Sequence, residues 1–186
     1  KVRFKFLIET MVALPIVLPP TVLGFYLLIF LGPQGSVGKL VSYLGGPSLI
    51  FSFTGLIIGS IVYSMPFVIQ PLQHAFSVID KRADETAATI GFSKLRRFFY
   101  LFLPLSKTGY LSAFVLGFAH TLGEFGIVLM IGGNIPGETQ VASISIYNYV
   151  EMLEYDKAHT LSLLLLLISF TLLAIIYSLR IRFGRY

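Results

Sequence analysis

Four stretches of the chain are apolar over the length that a membrane-spanning helix needs. A helix crosses the hydrocarbon core of a bilayer in about 20 residues. Residues 11–31, 48–72 and 160–179 carry no charged side chain, and residues 108–131 are apolar except for His120 and Glu124. Four such runs in 186 residues leave too little polar surface for a water-soluble fold. The pattern predicts an all-α integral membrane protein with four transmembrane helices, at about 8–31, 48–72, 108–131 and 159–180.

The charged residues separate onto two sides of these predicted helices. Twelve of the 14 lysines and arginines fall in the N-terminal segment, the loop 73–107 and the C-terminal tail, which leaves Lys39 and Lys157 for the other side. Because basic residues are retained in the cytoplasm, we expect those three segments to be cytoplasmic. The net charge of +5 therefore indicates topology rather than nucleic-acid binding. The chain begins at Lys1 on a basic segment, and we expect at least one further helix before it.

Prolines interrupt the first apolar run. Pro15, Pro19 and Pro20 each remove a backbone hydrogen-bond donor, so the helix over 8–31 should be kinked or broken. Packed neighbours often tolerate such a break in membrane bundles. Broken helices also line transport pathways, and this feature alone leaves both interpretations open.

No nucleotide-binding or catalytic pattern is visible in the chain. A phosphate-binding loop around residues 33–40 would need Gly at position 33 and Ser or Thr at position 40, where Pro and Leu stand. The three histidines, His74, His120 and His159, lie on different segments, and cysteine is absent. We therefore expect neither a catalytic site nor a metal site, which argues against an intramembrane enzyme.

The most charged part of the chain is the loop 73–107, called the charged loop below. Between Phe76 and Ile90 the apolar residues share one face of a helix, Gly91 is a helix stop, and Ser93 is suited to cap a second short helix. Such a helix pair fits the groove of a soluble partner. It equally fits an anionic lipid surface, and shape alone does not decide between them.

The spacing within this loop resembles the EAA loop of ABC importer permeases. That pattern is EAA, three residues, Gly, nine residues, then Ile-x-Leu-Pro. The chain has Glu85-Thr86-Ala87, then Gly91, then Leu101-Phe102-Leu103-Pro104 at the same spacing, with Thr86 and Leu101 as departures. The resemblance implies that the loop docks into a cytoplasmic ATPase. The implied ATPase-coupling residues are Glu85, Thr86, Ala87, Gly91, Leu103 and Pro104.

The resemblance also implies the surrounding assembly. Residues 1–186 would form a single permease domain in the plasma (inner) membrane of a prokaryote, paired with a second permease copy. A dimer of ABC ATPase subunits would supply ATP and Mg, so that this chain holds no cofactor of its own. An extracytoplasmic oxyanion-binding protein would deliver the substrate. A channel is the rival class, since its transport would not depend on ATP.

Three further stretches resemble permeases for tetrahedral oxyanions: LPIVLPPTVLGFYLL, FAHTLGEFGIVLMIGGNIPGETQ and SISIYNYV. The run GEFG followed by GGNIPG is most similar to molybdate and tungstate permeases, with sulfate and thiosulfate permeases as the alternative. The implied pathway or gate candidates are His120, Glu124, Gly132, Gly133, Asn134, Ser143 and Ser145.

His120 and Glu124 stand four positions apart, which places them on one face of the predicted third helix. An acid inside a membrane span is a candidate functional site. A carboxylate is nevertheless a poor ligand for an oxyanion, because like charges repel. We expect Glu124 to accept a structural hydrogen bond from His120 or from a neighbouring helix. A gate that changes partner as it opens is the alternative.

Overall fold

In a computed structural model the protein is helical, and the structure describes residues 4–183. Lys1, Arg3 and Arg185, which contribute to the predicted topology, lie outside that range. The described residues form eleven α-helices: α1 Lys5–Val17, α2 Pro20–Leu31, α3 Ser36–Tyr43, α4 Phe53–Ser77, α5 Lys81–Thr89, α6 Lys94–Arg97, α7 Leu103–Leu105, α8 Lys107–Leu122, α9 Gly126–Gly132, α10 Ala142–Glu151 and α11 Tyr155–Phe183. A π-helical turn, Phe98–Phe102, joins α6 to α7.

Three helical segments of the described chain are long and apolar enough to cross a membrane: Pro20–Tyr43, Phe53–Ser77 and Tyr155–Ser178. A fourth is added if Lys94–Leu105 and Lys107–Leu122, which meet at a bend of 70°, count as one span. The all-α membrane fold is therefore confirmed. The predicted helices over 48–72 and 159–180 correspond to α4 and α11.

The first predicted span is broken where its prolines stand. Helix α1 ends at Val17, Leu18 is extended with ψ 137°, and Pro20 opens α2 as its first residue. Proline is favoured there because its missing N–H has no partner to lose and its φ suits a helix. Pro15 is accommodated inside α1. The predicted interruption is confirmed.

The third predicted span, over 108–131, is wrong as one continuous helix. Helix α8 ends at Leu122, and α9 starts only at Gly126. The short α9 packs against α2, where a Cβ added to Gly126 would lie 2.8 Å from Cβ of Pro20. The break at residues 123–125 allows α9 to turn its apolar side chains onto α2, and a straight continuation of α8 would not.

The charged loop also differs from the prediction of one helix over Phe76 to Ile90. Helix α4 continues to Ser77, and a new helix, α5, begins at Lys81. Asp80 causes the restart, because its carboxylate accepts a 2.9 Å hydrogen bond from the Arg82 N–H and caps the helix. The predicted stop at Gly91 is confirmed by its φ of +91°. The Ser93 cap is confirmed too, since its hydroxyl accepts from the Arg96 N–H at 3.3 Å.

The described residues fall into two compact units, one of residues 4–66 with 119–170 and one of 67–118 with 171–183. Helices α4, α8 and α11 each run from one unit into the other, so the units are not successive domains. The first unit has a core of buried side chains from α4, α9 and α10: Leu56, Ile127, Val128, Ile131 and Ile144. In the second unit, Phe76 makes ring contacts with Phe98, Phe102 and Tyr110.

Candidate functional site

An ion pair holds the two short helices of the charged loop together. The Arg97 guanidinium in α6 donates to the Asp84 carboxylate in α5 at 2.8 Å and to the Asp84 carbonyl oxygen at 3.4 Å. Arg97 is largely buried, with 17% of its side chain exposed, whereas Asp84 is 36% exposed. The pair therefore sets the angle between α5 and α6. The sequence pattern did not single out either residue.

The EAA residues lie on the surface of this helix pair. Glu85 and Thr86 are exposed in α5, and Ala87 is half-buried. Gly91 is exposed, and a Cβ added to it would meet nothing within 4 Å. Its restriction to glycine is therefore a matter of backbone conformation and not of space. Leu103 and Pro104 lie further along, and both are exposed in α7.

Apolar side chains surround the EAA residues on the surface. Ile90, Leu95 and Tyr100 are each 70% or 71% exposed. Beside them the Arg96 guanidinium lies 4.5 Å from the centre of the Phe92 ring, a cation–π distance. Exposed apolar groups next to cations suit either a partner protein or an anionic lipid surface.

A second candidate site lies in the first unit, at the break between α8 and α9. A cavity of about 500 Å³ is lined there by Pro20, Thr21, Tyr63, His120, Gly123, Glu124, Phe125, Gly126, Leu129 and Met130. The structure thus brings His120 and Glu124 to one cavity, as their spacing predicts. Glu124 is 4% exposed.

The expected hydrogen bond between these two residues is not formed. Because α8 ends at Leu122, Glu124 no longer continues the helical face that carries His120. The His120 Nδ1 atom instead lies 3.0 Å from the Ser64 hydroxyl of α4, which is also 2.8 Å from the Thr121 hydroxyl. Among the described residues, no donor lies in good hydrogen-bond geometry with either carboxylate oxygen of Glu124, and the side chain that interacts with this carboxyl group is the Ser60 hydroxyl of α4. A bond from His120 was expected on the assumption of an unbroken helix, whereas the other expected partner, a group on a neighbouring helix, corresponds to Ser60 of α4.

The candidates Gly132, Gly133 and Asn134 form a tight turn at the C-terminal end of α9. Gly133 has φ +69° and Asn134 φ +55°, both in the left-handed region. The Asn134 side chain exchanges two hydrogen bonds with that of Asn148 in α10, at 3.2 and 3.3 Å. These three residues are absent from the lining of the Glu124 cavity in the part of the chain that is described.

Thr139, which the sequence pattern did not indicate, fixes this turn from inside. It is 1% exposed. Its hydroxyl donates to the Gly132 carbonyl oxygen at 2.6 Å and accepts from the Ile135 N–H at 2.9 Å. A buried hydroxyl with both bonds satisfied makes the turn rigid. Only packing could have revealed this role, since a single threonine in a polar loop carries no pattern.

The two serine candidates, Ser143 and Ser145, donate hydrogen bonds to backbone carbonyl oxygens. The Ser143 hydroxyl donates to the Glu124 carbonyl oxygen at 2.6 Å and so connects α10 to the helix break. The Ser145 hydroxyl donates to the Val141 carbonyl oxygen one turn earlier, at 3.2 Å. Further along α10, the Tyr147 hydroxyl donates to Glu151 at 2.6 Å, and this carboxylate raises the pKa of Tyr147. The pathway role of Ser143 and Ser145 stays a prediction.

Comparison with known proteins assigns the chain to a family. The model of the binding-protein-dependent transport system inner membrane component matches residues 1–183. The chain belongs to this family. Over 178 residues it is 50% identical to the molybdenum transport system permease protein ModB of Azotobacter vinelandii. The aligned residues cover 96% of this chain and 79% of that relative.

Two further relatives extend the comparison. The molybdenum permease ModB of Haemophilus influenzae is 40% identical over 147 residues, covering 79% of this chain and 64% of the relative. The probable sulfate transport system permease protein cysT of Chlorella vulgaris is 36% identical over 169 residues, which cover 90% of this chain and 63% of that relative. The chain therefore spans less than two thirds of these two relatives.

Solved structures support the fold. A crystal structure of a bacterial ABC transporter involved in the import of the acidic polysaccharide alginate matches with a TM-score of 0.80 and 18% identity, covering 100% of this chain and 68% of that chain. A second crystal structure matches with a TM-score of 0.78 and 18% identity, covering 98% of this chain and 67% of that chain. It shows the bacterial alginate ABC transporter in complex with alginate pentasaccharide-bound periplasmic protein. The chain therefore shares its helical fold with these solved transporters.

Proposed function

We propose that this chain is the membrane-spanning permease subunit of an ABC importer that moves molybdate into the cytoplasm. The observation that carries the proposal is the 50% identity to a molybdenum permease over 96% of the chain. Tungstate, which has the same tetrahedral shape and charge, would follow the same route. Sulfate is the second candidate, supported by the 36% identity to a sulfate permease.

In this proposal the charged loop couples transport to ATP hydrolysis on a partner. The Asp84–Arg97 ion pair makes α5 and α6 one rigid body, and Glu85 and Thr86 lie exposed on it. Such a body transmits the opening and closing of an ATPase dimer better than a flexible loop, since packed elements move as units. ATP and Mg would bind to that partner, and this chain would contribute no ATP site.

The remaining partners and the orientation complete the proposal. A second permease copy would form the other half of the pathway, and an extracytoplasmic binding protein would deliver the oxyanion. The residues 134–156 would face that binding protein. The N-terminal segment, the charged loop and the C-terminal tail would lie in the cytoplasm, because they carry most of the basic residues.

The test is reconstitution of the permease in proteoliposomes with its ATPase and its binding protein. ATP hydrolysis is recorded with molybdate, tungstate, sulfate or no anion. We expect molybdate and tungstate to stimulate hydrolysis at concentrations at which sulfate has no effect. Stimulation by sulfate alone would show that the substrate is sulfate, while the importer function would still hold. Hydrolysis that responds to no anion would contradict the importer function.

A further inference from the structure

A cavity in the second compact unit, called the loop cavity below, lies against the inner side chains of the charged loop. Its volume is about 350 Å³. Three aromatic rings, two cations and one carboxylate line it: Phe76, Asp84, Lys94, Arg97, Phe98 and Phe102. None of the six implied ATPase-coupling residues is among the described residues that line it. The loop cavity is therefore distinct from the EAA surface.

The two cations of the loop cavity have hydrogen-bonding capacity to spare. Arg97 uses one nitrogen, Nη1, for both of its bonds to Asp84, and its Nε atom has no partner within the described chain. Lys94 is exposed and takes part in none of the ion pairs between described residues. The one acid of the lining, Asp84, is already bonded to Arg97. Because guanidinium and ammonium groups both bind phosphate oxygens, this lining favours an anion.

The loop cavity lies where two membrane-spanning segments have their ends. Phe76 is the next-to-last residue of α4, which is long and apolar enough to cross a membrane. Lys94 is the first residue of the bent pair that adds the fourth span. Along that pair the cations come first, and the rings of Phe98 and Phe102 follow. This order matches the change from lipid headgroups to hydrocarbon at a membrane surface.

The π-helical turn supplies the apolar wall of the loop cavity. Its first and last residues, Phe98 and Phe102, line the cavity, whereas Phe99 does not. The Phe76 ring contacts both of the lining rings, with centroids 6.5 and 6.4 Å apart. A small inorganic anion gains nothing from such a wall, whereas an acyl chain is stabilised by contact with it. The combination of cations and rings therefore fits an amphiphile with an anionic headgroup.

We propose that the loop cavity binds an anionic phospholipid of the surrounding membrane. The headgroup phosphate lies between Lys94 and Arg97. The start of an acyl chain lies against Phe76, Phe98 and Phe102. Basic pockets between membrane helices hold anionic headgroups in other membrane proteins. A zwitterionic lipid has no net charge and gains less from the two cations.

The bound lipid fastens the charged loop to the membrane surface and leaves its EAA residues exposed. In the proposed orientation the lipid belongs to the cytoplasmic leaflet. The site requires the membrane fold and does not depend on which anion the protein transports.

The first experiment is native mass spectrometry of the full-length permease in detergent, titrated with phosphatidylglycerol or with phosphatidylcholine. We expect phosphatidylglycerol to bind more tightly, and Lys94→Gln to weaken its binding about fivefold without changing that of phosphatidylcholine. Lys81→Gln is the matched control, because it removes the same charge from an exposed position in the same loop but outside the cavity. It should bind both lipids as the wild type does. Thermal unfolding of each variant checks that the fold is retained.

The second experiment tests the apolar wall. Phe98→Ala and Phe99→Ala remove the same ring from neighbouring positions that are 40% and 53% exposed, and only Phe98 lines the cavity. We expect Phe98→Ala alone to weaken phosphatidylglycerol binding several-fold. Glycerol 1-phosphate, which has the phosphate group but no acyl chain, should not displace the bound lipid.

Three results would overturn the site. Equal losses in Lys94→Gln and Lys81→Gln would show that lipid adsorbs to the basic loop as a whole. Displacement by glycerol 1-phosphate would show a site for free phosphate. Unchanged lipid binding in Lys94→Gln, with weaker binding of the purified ATPase, would assign the cavity to the ATPase interface. Neither oxyanion nor ATP takes part, so failure of the proposed substrate would leave these results unchanged.

Discussion

The Asp84 carboxylate and the Arg97 guanidinium lie 2.8 Å apart, and theirs is the one ion pair that joins two different helices in the part of the chain that the structure describes. The other two pairs are local, between Lys5 and Glu9 and between Glu154 and Lys157. Asp84 and Arg97 are 13 positions apart in the sequence, so the pair connects two separate parts of the charged loop. It fixes α5 and α6 against each other, although each of these helices is too short to be stable alone.

Loss of this pair should weaken docking of the ATPase more than it weakens the fold. Asp84 is partly exposed but Arg97 is largely buried, so Asp84→Arg alone should cost about 1–3 kcal/mol of stability, because the Arg97 guanidinium loses its acceptor. Because α5 loses its fixed angle to α6, we expect a clear loss of ATPase binding, measured by titration of the purified partner. Asp84→Arg combined with Arg97→Asp should recover part of the affinity. Glu154→Lys, which breaks a local pair outside the charged loop, should bind normally. If the single variant binds as tightly as the wild type, the ion pair does not organise the loop.

Gly91 should be restricted by its backbone conformation. A side chain there meets no atom within 4 Å, yet φ +91° is strained for any residue with a Cβ, by roughly 1–2 kcal/mol. We expect Gly91→Val to reach the membrane in normal amounts and to lose anion-stimulated ATP hydrolysis. Gly45→Val is the matched control, because Gly45 has φ +76° and equally open space but lies outside the charged loop. Normal coupling in Gly91→Val would remove the basis for assigning this loop to the ATPase.

The success of the sequence-based prediction depended on how local the cause was. Helices α4 and α11 arise from long uninterrupted apolar runs, and the Ser93 cap and the Gly91 stop arise from single residues acting on their own backbone. The break after Leu122 was missed because it depends on α9 packing against α2, which lies about 100 residues earlier. The pairing of Glu124 with His120 failed for the same reason, since it was inferred from helical spacing across that break.

Packing of α9 on α2 should tolerate no side chain at Gly24. A Cβ there would lie 2.9 Å from Cβ of Met130 and 3.3 Å from Cγ1 of Ile127. We expect Gly24→Val to destabilise the protein by about 1–3 kcal/mol, the usual cost of overpacking, as measured by thermal unfolding in detergent. Gly123→Ala serves as the control, because the nearest atom to its Cβ is the Ala119 carbonyl oxygen at 3.9 Å. Equal loss in both variants would mean that close contact of the two helices is not the cause.

The buried Thr139 hydroxyl should determine whether the turn at Gly133 and Asn134 is held in one shape. Thr139→Val keeps the volume and removes the hydroxyl, which leaves the Gly132 carbonyl oxygen and the Ile135 N–H without their partner at a cost of about 1–3 kcal/mol. We expect faster hydrogen exchange at the Ile135 amide and weaker binding of the extracytoplasmic binding protein, because the turn is then free to sample other conformations. Thr139→Ser retains the hydroxyl and should keep both properties close to those of the wild type. Faster hydrogen exchange with unchanged affinity for the binding protein would show that Thr139 stabilises the turn and has no role in binding. Unchanged exchange would show that the turn is held by its backbone alone, through the bonds that the Ile135 carbonyl oxygen accepts from the N–H groups of residues 138–140.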